Sequence, residues 1–194
     1  MKNNRVSDSY PIHLRQRINE ILAKPISAPP SPWKALLLPI VGGLVEVGFS
    51  ESSEYLLAIT HDGRGLFDCS TGEKIARDYS PLDGSAAWHD STRLRAKGIG
   101  PVSEEWIPLS GLWGGGLRKD TNDGWFVKSY ALDWPNEHLI LENIQGHVAL
   151  DTRFPFDATV LGIESEVRAF GFSWSGRNLV LATSDTLWMW RKQV

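Results

Sequence analysis

The sequence predicts an all-β protein of about four similar antiparallel units, preceded by one short helix. Short apolar runs bounded by Gly, Asp or Ser recur along the chain, as strands joined by hairpin turns require. An aromatic–Ser–x–Ser pattern occurs at Phe49 and again at Phe172, 123 positions later. Three steps of about 41 residues fit that separation, and about 40–45 residues is a common length for a repeated β-unit.

The two clearest copies of the repeat predict their strands and turns in detail. In the first copy, a strand over residues 55–59 leads through a turn at residues 61–64 into a strand at residues 65–68. In the last copy, a strand over residues 178–182 leads through a Ser-Asp turn into a strand over residues 186–190. The first turn contains an Asp-Gly pair, which favours a tight hairpin because glycine accepts a positive φ.

Two weaker copies lie between them. One is predicted over residues 132–141, followed by a turn at residues 143–146 and a strand at residues 147–151. The other begins at Trp88, which makes the steps between copies 39, 44 and 40 residues. Residues 33–47 are predicted to hold one or two strands that turn at a Gly-Gly pair.

The units resemble the blades of WD-repeat β-propellers, in which the third strand of a blade ends in a Trp-Asp pair. The pairs at the corresponding positions are Phe67-Asp68, Leu150-Asp151 and Trp190-Arg191. The Gly-His pair that opens such repeats is not found in register. The resemblance covers residues 45–192 and implies a small propeller-like array of about four antiparallel sheets. A different all-β arrangement with regular hairpins stays open as an alternative.

One amphipathic helix is predicted over residues 9–24. Ser9 is suited to cap it, Pro11 suits its first turn, and its apolar side chains fall on one face at spacings of three and four. A proline-rich segment follows. We therefore predict a helix and linker over residues 1–32 and a propeller-like domain over residues 33–194.

Composition argues against several classes of protein. A net charge of −3 and a pI near 5.9 disfavour a nucleic-acid-binding protein, which usually carries a basic patch. The single cysteine, Cys69, has no partner for an internal disulfide, which fits a reducing compartment. The polar N-terminal residues do not match a signal peptide, and no apolar run approaches the roughly 18 residues of a membrane span. We expect a soluble, cytoplasmic protein.

No catalytic or metal-binding signature stands out. The five histidines show no metal-ligand spacing, and the glycines at residues 114–116 lack the following Gly-Lys-Ser/Thr of a phosphate loop. The residues around Asp120 supply too few oxygens for a calcium loop. We expect no metal, no cofactor and no enzymatic activity. A hydrolase or lyase with an active site near His89, His138 or His147 stays open as an alternative.

The least regular part of the sequence, residues 81–133, is predicted to form the largest loops, where binding residues concentrate on a rigid scaffold. Tryptophans, which are enriched at interface hot spots, lie there close to acidic residues that attract a cationic partner. These tryptophans also suit the core of a blade. The predicted partner-binding residues are Glu104, Glu105, Trp106, Trp113, Asp120, Asp123 and Trp125.

A small and mildly acidic protein of this kind resembles, as a class, the immunity proteins that bacteria encode beside secreted toxins, including those of contact-dependent growth inhibition. No immunity-family motif is present. The resemblance implies a basic toxin domain, by class a nuclease, as the partner in a 1:1 complex with a monomeric protein. The acidic side chains would stand in for phosphates, and Trp113 or Trp125 would anchor the contact. A carbohydrate-binding module with exposed tryptophan rings stays open as a further alternative.

Overall fold

The computed structural model of the chain describes residues 10–36, 41–143, 149–153 and 157–193. In these residues the chain has one α-helix and strands that pair only in antiparallel fashion, in four sheets. The prediction of an all-β protein with one short helix is therefore confirmed. None of the helical structure in the described ranges is long and apolar enough to cross a membrane.

The helix is α1 (Ile12–Ala23). The first eight strands are β1 (Trp33–Leu36), β2 (Leu44–Phe49), β3 (Tyr55–Thr60), β4 (Gly63–Asp68), β5 (Lys74–Asp78), β6 (His89–Asp90), β7 (Arg95–Lys97) and β8 (Trp106–Pro108). The other eight are β9 (Ser110–Gly111), β10 (Gly114–Gly115), β11 (Trp125–Asp133), β12 (Asn136–Asn143), β13 (Thr159–Glu164), β14 (Val167–Phe172), β15 (Asn178–Thr183) and β16 (Leu187–Lys192).

The chain forms two compact units. Unit 1 consists of Met1–Pro30 and Asp120–Ser165, and unit 2 consists of Ser31–Lys119 and Glu166–Val194. The division predicted between residues 32 and 33 lies close to the first junction of these units. That division placed residues 120–165 with all the other strands, whereas in the structure they group with the helix.

Unit 1 contains α1 and the sheet β11-β12-β13. The helix is shorter at its N-terminal end than predicted, because Pro11 occupies the N-cap position, and the predicted cap Ser9 lies outside the described residues. Ile18 and Ile21 are fully buried on the helix face that the spacing predicted. They belong to an apolar cluster with Leu132, Ile140, Ala149 and Ala158.

Unit 2 contains three sheets, with strand orders β10-β9-β2-β3-β4-β5, β6-β7-β8 and β1-β16-β15-β14. The strands predicted at residues 33–47 turn at the Gly-Gly pair as expected, but they do not pair with each other. Strand β1 pairs with the last strand, β16, while β2 pairs with β3 and β9. The strands between residues 81 and 124 are only two or three residues long, which fits the predicted irregularity.

The repeat predicted at Phe49 and Phe172 is present as local structure. Each phenylalanine is buried at the end of the first strand of a hairpin, where Phe49 pairs with Leu56 and Phe172 pairs with Leu179. In both hairpins the following serine donates its backbone N–H to the residue that begins the next strand, at 3.0 and 2.9 Å. The two copies therefore build equivalent hairpins.

In two copies of the repeat, the residues predicted at the end of the third strand do lie in that strand. In a further copy this prediction is wrong. Leu56 pairs with Phe67 in β4, and Leu179 pairs with Trp190 in β16, so these two positions correspond. In contrast, Leu150 lies in a turn, and the third strand of that sheet is β13. Of the strand predicted over residues 147–151, residues 147 and 148 lie outside the described ranges.

Side-chain hydrogen bonds explain why residues 149–151 do not form a strand. The Glu142 carboxylate accepts the Ala149 N–H at 2.8 Å. Arg17 on α1 donates to the carbonyl oxygens of Ala149, at 2.7 Å, and Asp151, at 3.0 Å. Because buried backbone groups must be paired in some way, these side chains satisfy groups that a strand ladder would otherwise use.

Candidate functional site

The predicted partner-binding residues are divided between the two units. The group in unit 2 comprises Glu104, Glu105, Trp106 and Trp113. The group in unit 1 comprises Asp120, Asp123 and Trp125. Each group therefore has its own surroundings.

In unit 2, Trp113 lies at the tip of a β-hairpin together with Leu112. Gly114 pairs with Gly111 and Gly115 pairs with Ser110, which leaves Leu112 and Trp113 as a two-residue loop. Their exposed fractions are 51% and 45%. The positive φ angles of this hairpin fall on Gly114, at +115°, and Gly115, at +80°, so positions 112 and 113 do not require glycine. Gly, Pro, Asn, Asp and Ser dominate at turns, so two large apolar residues are unusual there, and we name them the apolar tip.

The glycines of this hairpin are required by its close packing. A Cβ atom at position 111 would lie 2.3 Å from the Val45 carbonyl oxygen, which no side chain allows. At Gly115 the φ angle is +80°, and a Cβ atom would lie 2.0 Å from the Leu109 carbonyl oxygen. The glycine run at residues 114–116 thus begins in the return strand of the hairpin.

Trp113 is supported by a buried pair of polar side chains, His89 and Glu46. The Trp113 ring lies 5.3 Å from the His89 ring, centroid to centroid, at an interplanar angle of 60°. His89 Nε2 lies 2.7 Å from Glu46 Oε2, and the side chains are 8% and 0% exposed, respectively. Burial raises the pKa of Glu46 above its usual value, and the hydrogen bond and charge of His89 act in the opposite direction.

The pair fixes the orientation of the imidazole, because a carboxylate held at Nε2 selects both the ring position and the tautomer. Such a pair also has the groups for proton transfer. However, none of the three cavities described for this chain is lined by Glu46 or His89. The geometry therefore favours support of Trp113 over substrate chemistry.

Sequence reasoning missed Glu46 and Leu112. Glu46 is the one charged residue of an apolar strand, β2, and this isolation was the available signal that it needs a buried partner. That partner is 43 positions away, so local spacing gave no indication of it. Leu112 could have been noted as one of two large apolar residues between glycines.

The Glu105 carboxylate is hydrogen-bonded within unit 2. Its carboxylate accepts hydrogen bonds from Ser50 Oγ at 2.7 Å, Ser52 Oγ at 3.0 Å and the Glu51 N–H at 2.6 Å. These three donors belong to the turn between β2 and β3. The carboxylate therefore holds this turn.

The neighbouring predicted residues differ in exposure. The Glu104 side chain is 95% exposed and lies 3.8 Å from Lys97 Nζ, in a solvent-exposed ion pair. Trp106 is half-buried, and the Arg95 guanidinium carbon lies 4.6 Å from its ring centroid. Of these two residues, Glu104 is the more accessible to a partner.

In unit 1, Asp120 and Asp123 are exposed on the turn that leads into β11, whose first residue is Trp125. Buried Thr121 organises this turn. Its N–H donates to the Trp125 carbonyl at 2.9 Å, and its Oγ1 accepts the Trp125 N–H at 3.0 Å. Trp125 is thereby held in place at the start of the strand.

Trp125 lines an open cavity of about 450 Å³ in unit 1. This volume is within the usual range for small-molecule sites, about 300–1,000 Å³. Trp125 pairs directly with Asn143 across β11 and β12. The described residues that line the cavity are Pro30, Trp125, Leu141, Asn143, Asp157, Ala158 and Thr159.

Charge is distributed unevenly along the chain. The segment Asp120–Ser165 contains eight acidic and two basic residues, a formal charge of −6, whereas the whole chain has −3. The rest of the chain is therefore net positive. An acidic bias that the overall composition only hints at is concentrated in the segment that carries Trp125 and its cavity.

The other residues considered for chemistry are less well placed for it. His138 Nδ1 lies 3.4 Å from Asp133 Oδ1, but neither atom makes a hydrogen bond within the described ranges, and His147 lies outside those ranges. Burial, followed by the charges of Glu54 and Asp68, raises the pKa of the Cys69 thiol, which disfavours the nucleophilic thiolate. No group of three His, Cys, Asp or Glu residues in the described part of the chain could hold a metal ion.

Comparison with protein-family models and with curated proteins found no match to this sequence. The class of the protein is therefore described from its fold and its surface. The protein is an antiparallel all-β protein with one short helix. Its two distinctive features are the apolar tip in unit 2 and the acidic segment with its cavity in unit 1.

Proposed function

We propose that this protein is a protein-binding module without enzymatic activity. The observation that carries the proposal is the apolar tip, because Leu112 and Trp113 are both about half exposed at a turn, where Gly, Pro, Asn, Asp and Ser dominate. Exposed adjacent apolar side chains mark interaction sites on soluble proteins. Tryptophan in particular is enriched among the residues that dominate binding energy.

The surroundings of the tip suit an anchor. The His89–Glu46 pair lies behind Trp113, and the glycine contacts fix the hairpin backbone, so little freedom is lost when a partner binds. Complete burial of a large apolar side chain contributes about 1.5–3 kcal/mol. Two such side chains, partly buried already, are sufficient to dominate a small interface.

We propose a basic protein as the partner, by class a toxin domain such as a nuclease, and an immunity protein of a bacterial cytoplasm as the role. The formal charge of −6 in the segment Asp120–Ser165 supports this choice, because complementary charge accelerates association and excludes other acidic proteins. Asp120, Asp123 and Glu104 are exposed carboxylates suited to contact basic groups that normally bind phosphates.

We also propose that the four sheets are degenerate blades of a small WD-repeat-like propeller. The equivalence of the hairpins at Phe49 and Phe172 supports this arrangement, as does the pairing of β1 with the last strand, β16. Pairing between the two ends of a chain leaves fewer open sheet edges in a circular array. An experimental structure with four sheets around one axis is expected, and two stacked layers would contradict the propeller.

The binding function is tested by expression beside the neighbouring genes of its own genome. We expect one of these genes to encode a toxic protein whose effect is relieved by the wild-type chain and which co-purifies with it. The variants Leu112→Ala and Trp113→Ala should lose this protection while remaining folded by circular dichroism. Tyr79→Ala serves as the control, because Tyr79 is 78% exposed in the same unit and outside the tip.

A further inference from the structure

We propose that the cavity of unit 1 receives a guanidinium group, presented as an arginine side chain of the basic partner. The choice of a basic partner rests on the proposed function. The cavity itself is an independent observation, since it lies in unit 1 whereas the apolar tip belongs to unit 2. An arginine side chain in this cavity would make a second contact between the protein and its partner.

The lining matches both parts of an arginine side chain. Trp125 offers an aromatic ring, on which a planar guanidinium stacks, while the exposed Pro30 offers apolar surface for the methylene groups. Asp157 and Thr159 bring carboxylate and hydroxyl oxygens that accept hydrogen bonds. A guanidinium has five N–H donors and no acceptor, so oxygen-rich surroundings suit it.

Charge selects a cation over other small groups. The described lining contains one carboxylate, that of Asp157, and no Lys, Arg or His. Among the described residues none donates a hydrogen bond to the Asp157 carboxylate or forms an ion pair with it. The Asp157 carboxylate would repel a phosphate, and a neutral sugar would gain nothing from its charge.

Arginine is favoured over lysine because of shape. The guanidinium plane stacks on an aromatic ring and donates two parallel hydrogen bonds to a carboxylate, whereas an ammonium is a compact point charge. An open cavity lined by an aromatic ring and a carboxylate allows both the stacking and the paired hydrogen bonds. Citrulline, which has nearly the same shape as arginine but no charge, is therefore the most informative comparison.

The test measures binding of small probes to the full-length protein by protein-observed NMR and tryptophan fluorescence. We expect N-acetyl-arginine amide to bind weakly, in the millimolar range, as a single contact would (roughly −4 kcal/mol corresponds to 1 mM). The lysine and citrulline analogues and glucose should bind at least about tenfold more weakly. Equal binding of citrulline, or preferential binding of glucose, would overturn the inference.

Two substitutions connect the probe with the cavity. Asp157→Asn should weaken binding of the arginine probe about tenfold, whereas Asp62→Asn, which removes the same charge from an exposed turn of unit 2, should leave it within about twofold. Trp125→Ala should abolish the fluorescence response, and Trp125→Phe should retain part of the affinity. An unchanged affinity in Asp157→Asn would contradict the assignment.

The probe and partner experiments separate this inference from the proposed function. If the arginine probe binds but no partner protein is found, the cavity chemistry stands and the proposed function fails. If a partner binds Asp157→Asn as tightly as it binds the wild type, the protein-binding function stands and the cavity contact is wrong. Leu112→Ala should leave probe binding unchanged in either case.

Discussion

Glu46 is the residue whose position most needs an explanation. It is fully buried in strand β2, its Oε2 pairs with His89, and its Oε1 has no hydrogen-bond partner within the described residues. A buried carboxylate costs stability unless it is fully paired, so an apolar residue would suit the strand better. Its evident consequence is the placement of His89 behind Trp113, which links an unfavourable core residue to the proposed binding tip.

The raised pKa of Glu46 predicts a pH dependence of stability. The folded protein keeps the Glu46 proton to a higher pH than the unfolded chain does, so raising the pH above the ordinary value of 4.5 favours unfolding. Relative to Glu46→Gln, the wild type should therefore lose unfolding free energy as the pH rises from 4.5 to the raised pKa. Urea denaturation of both proteins at several pH values measures this difference, and a constant difference would contradict it.

A second prediction for a single residue concerns Gly111 in the tip hairpin. Gly111→Ala places a Cβ atom 2.3 Å from the Val45 carbonyl oxygen, against backbone that has to shift. We expect a loss of about 1–3 kcal/mol of unfolding free energy, as for other overpacked positions. Gly84→Ala is the control, since nothing lies within 4 Å of a Cβ atom there. Equal stability of the two variants would show that the hairpin is not packed as described.

At the scale of elements, the sequence predicted what local patterns determine. Hairpins at Phe49 and Phe172 follow from short apolar runs and the turn residues that bound them, which lie within a few positions of each other. The strand expected near Leu150 was wrong because Arg17, 132 positions before Ala149, takes a backbone carbonyl of that segment. The pairing of β1 with β16 was equally beyond local patterns, since it joins distant parts of the chain.

Two adjacent glutamates differ in whether the fold uses their carboxylates. Glu105 accepts three hydrogen bonds from the turn between β2 and β3, whereas Glu104 is 95% exposed. Glu105→Ala should therefore destabilise the protein by about 1–3 kcal/mol, because it removes a charged acceptor from the buried Ser50 hydroxyl and from two exposed donors of the turn. Glu104→Ala should change stability by less than about 0.5 kcal/mol, as exposed ion pairs contribute little. Urea titrations compare the two, and similar values would contradict the structural role of Glu105.

At the scale of the whole molecule, the net charge of −3 hides a segment of −6 and a net positive remainder. Composition predicted a mildly acidic binder, and the net charge of −3 belongs to unit 1, where residues 1–30 carry +3 and Asp120–Ser165 carries −6. Trp125 and Trp113 were both selected from the sequence, but their neighbours Asp157, His89 and Glu46 depend on tertiary structure. Residue type was therefore predictable for the candidate sites, whereas the pairing within them was not.

The acidic segment predicts that association with a basic partner depends on salt. Raising the salt concentration from about 0.05 M to 0.5 M shortens the screening length several-fold and should slow association by at least about tenfold. Dissociation from the apolar tip should change much less. Surface plasmon resonance gives both rates, and an association rate independent of salt would argue against a basic partner.

The affinity of the identified partner for wild-type and Trp113→Ala protein tests the central claim most directly. Isothermal titration calorimetry should give a nanomolar Kd for the wild type and a Kd weaker by about 30-fold or more for Trp113→Ala, as for a hot-spot tryptophan. Tyr79→Ala should bind like the wild type. A Trp113→Ala variant that is folded and binds with unchanged affinity would contradict the account of the apolar tip as the docking site.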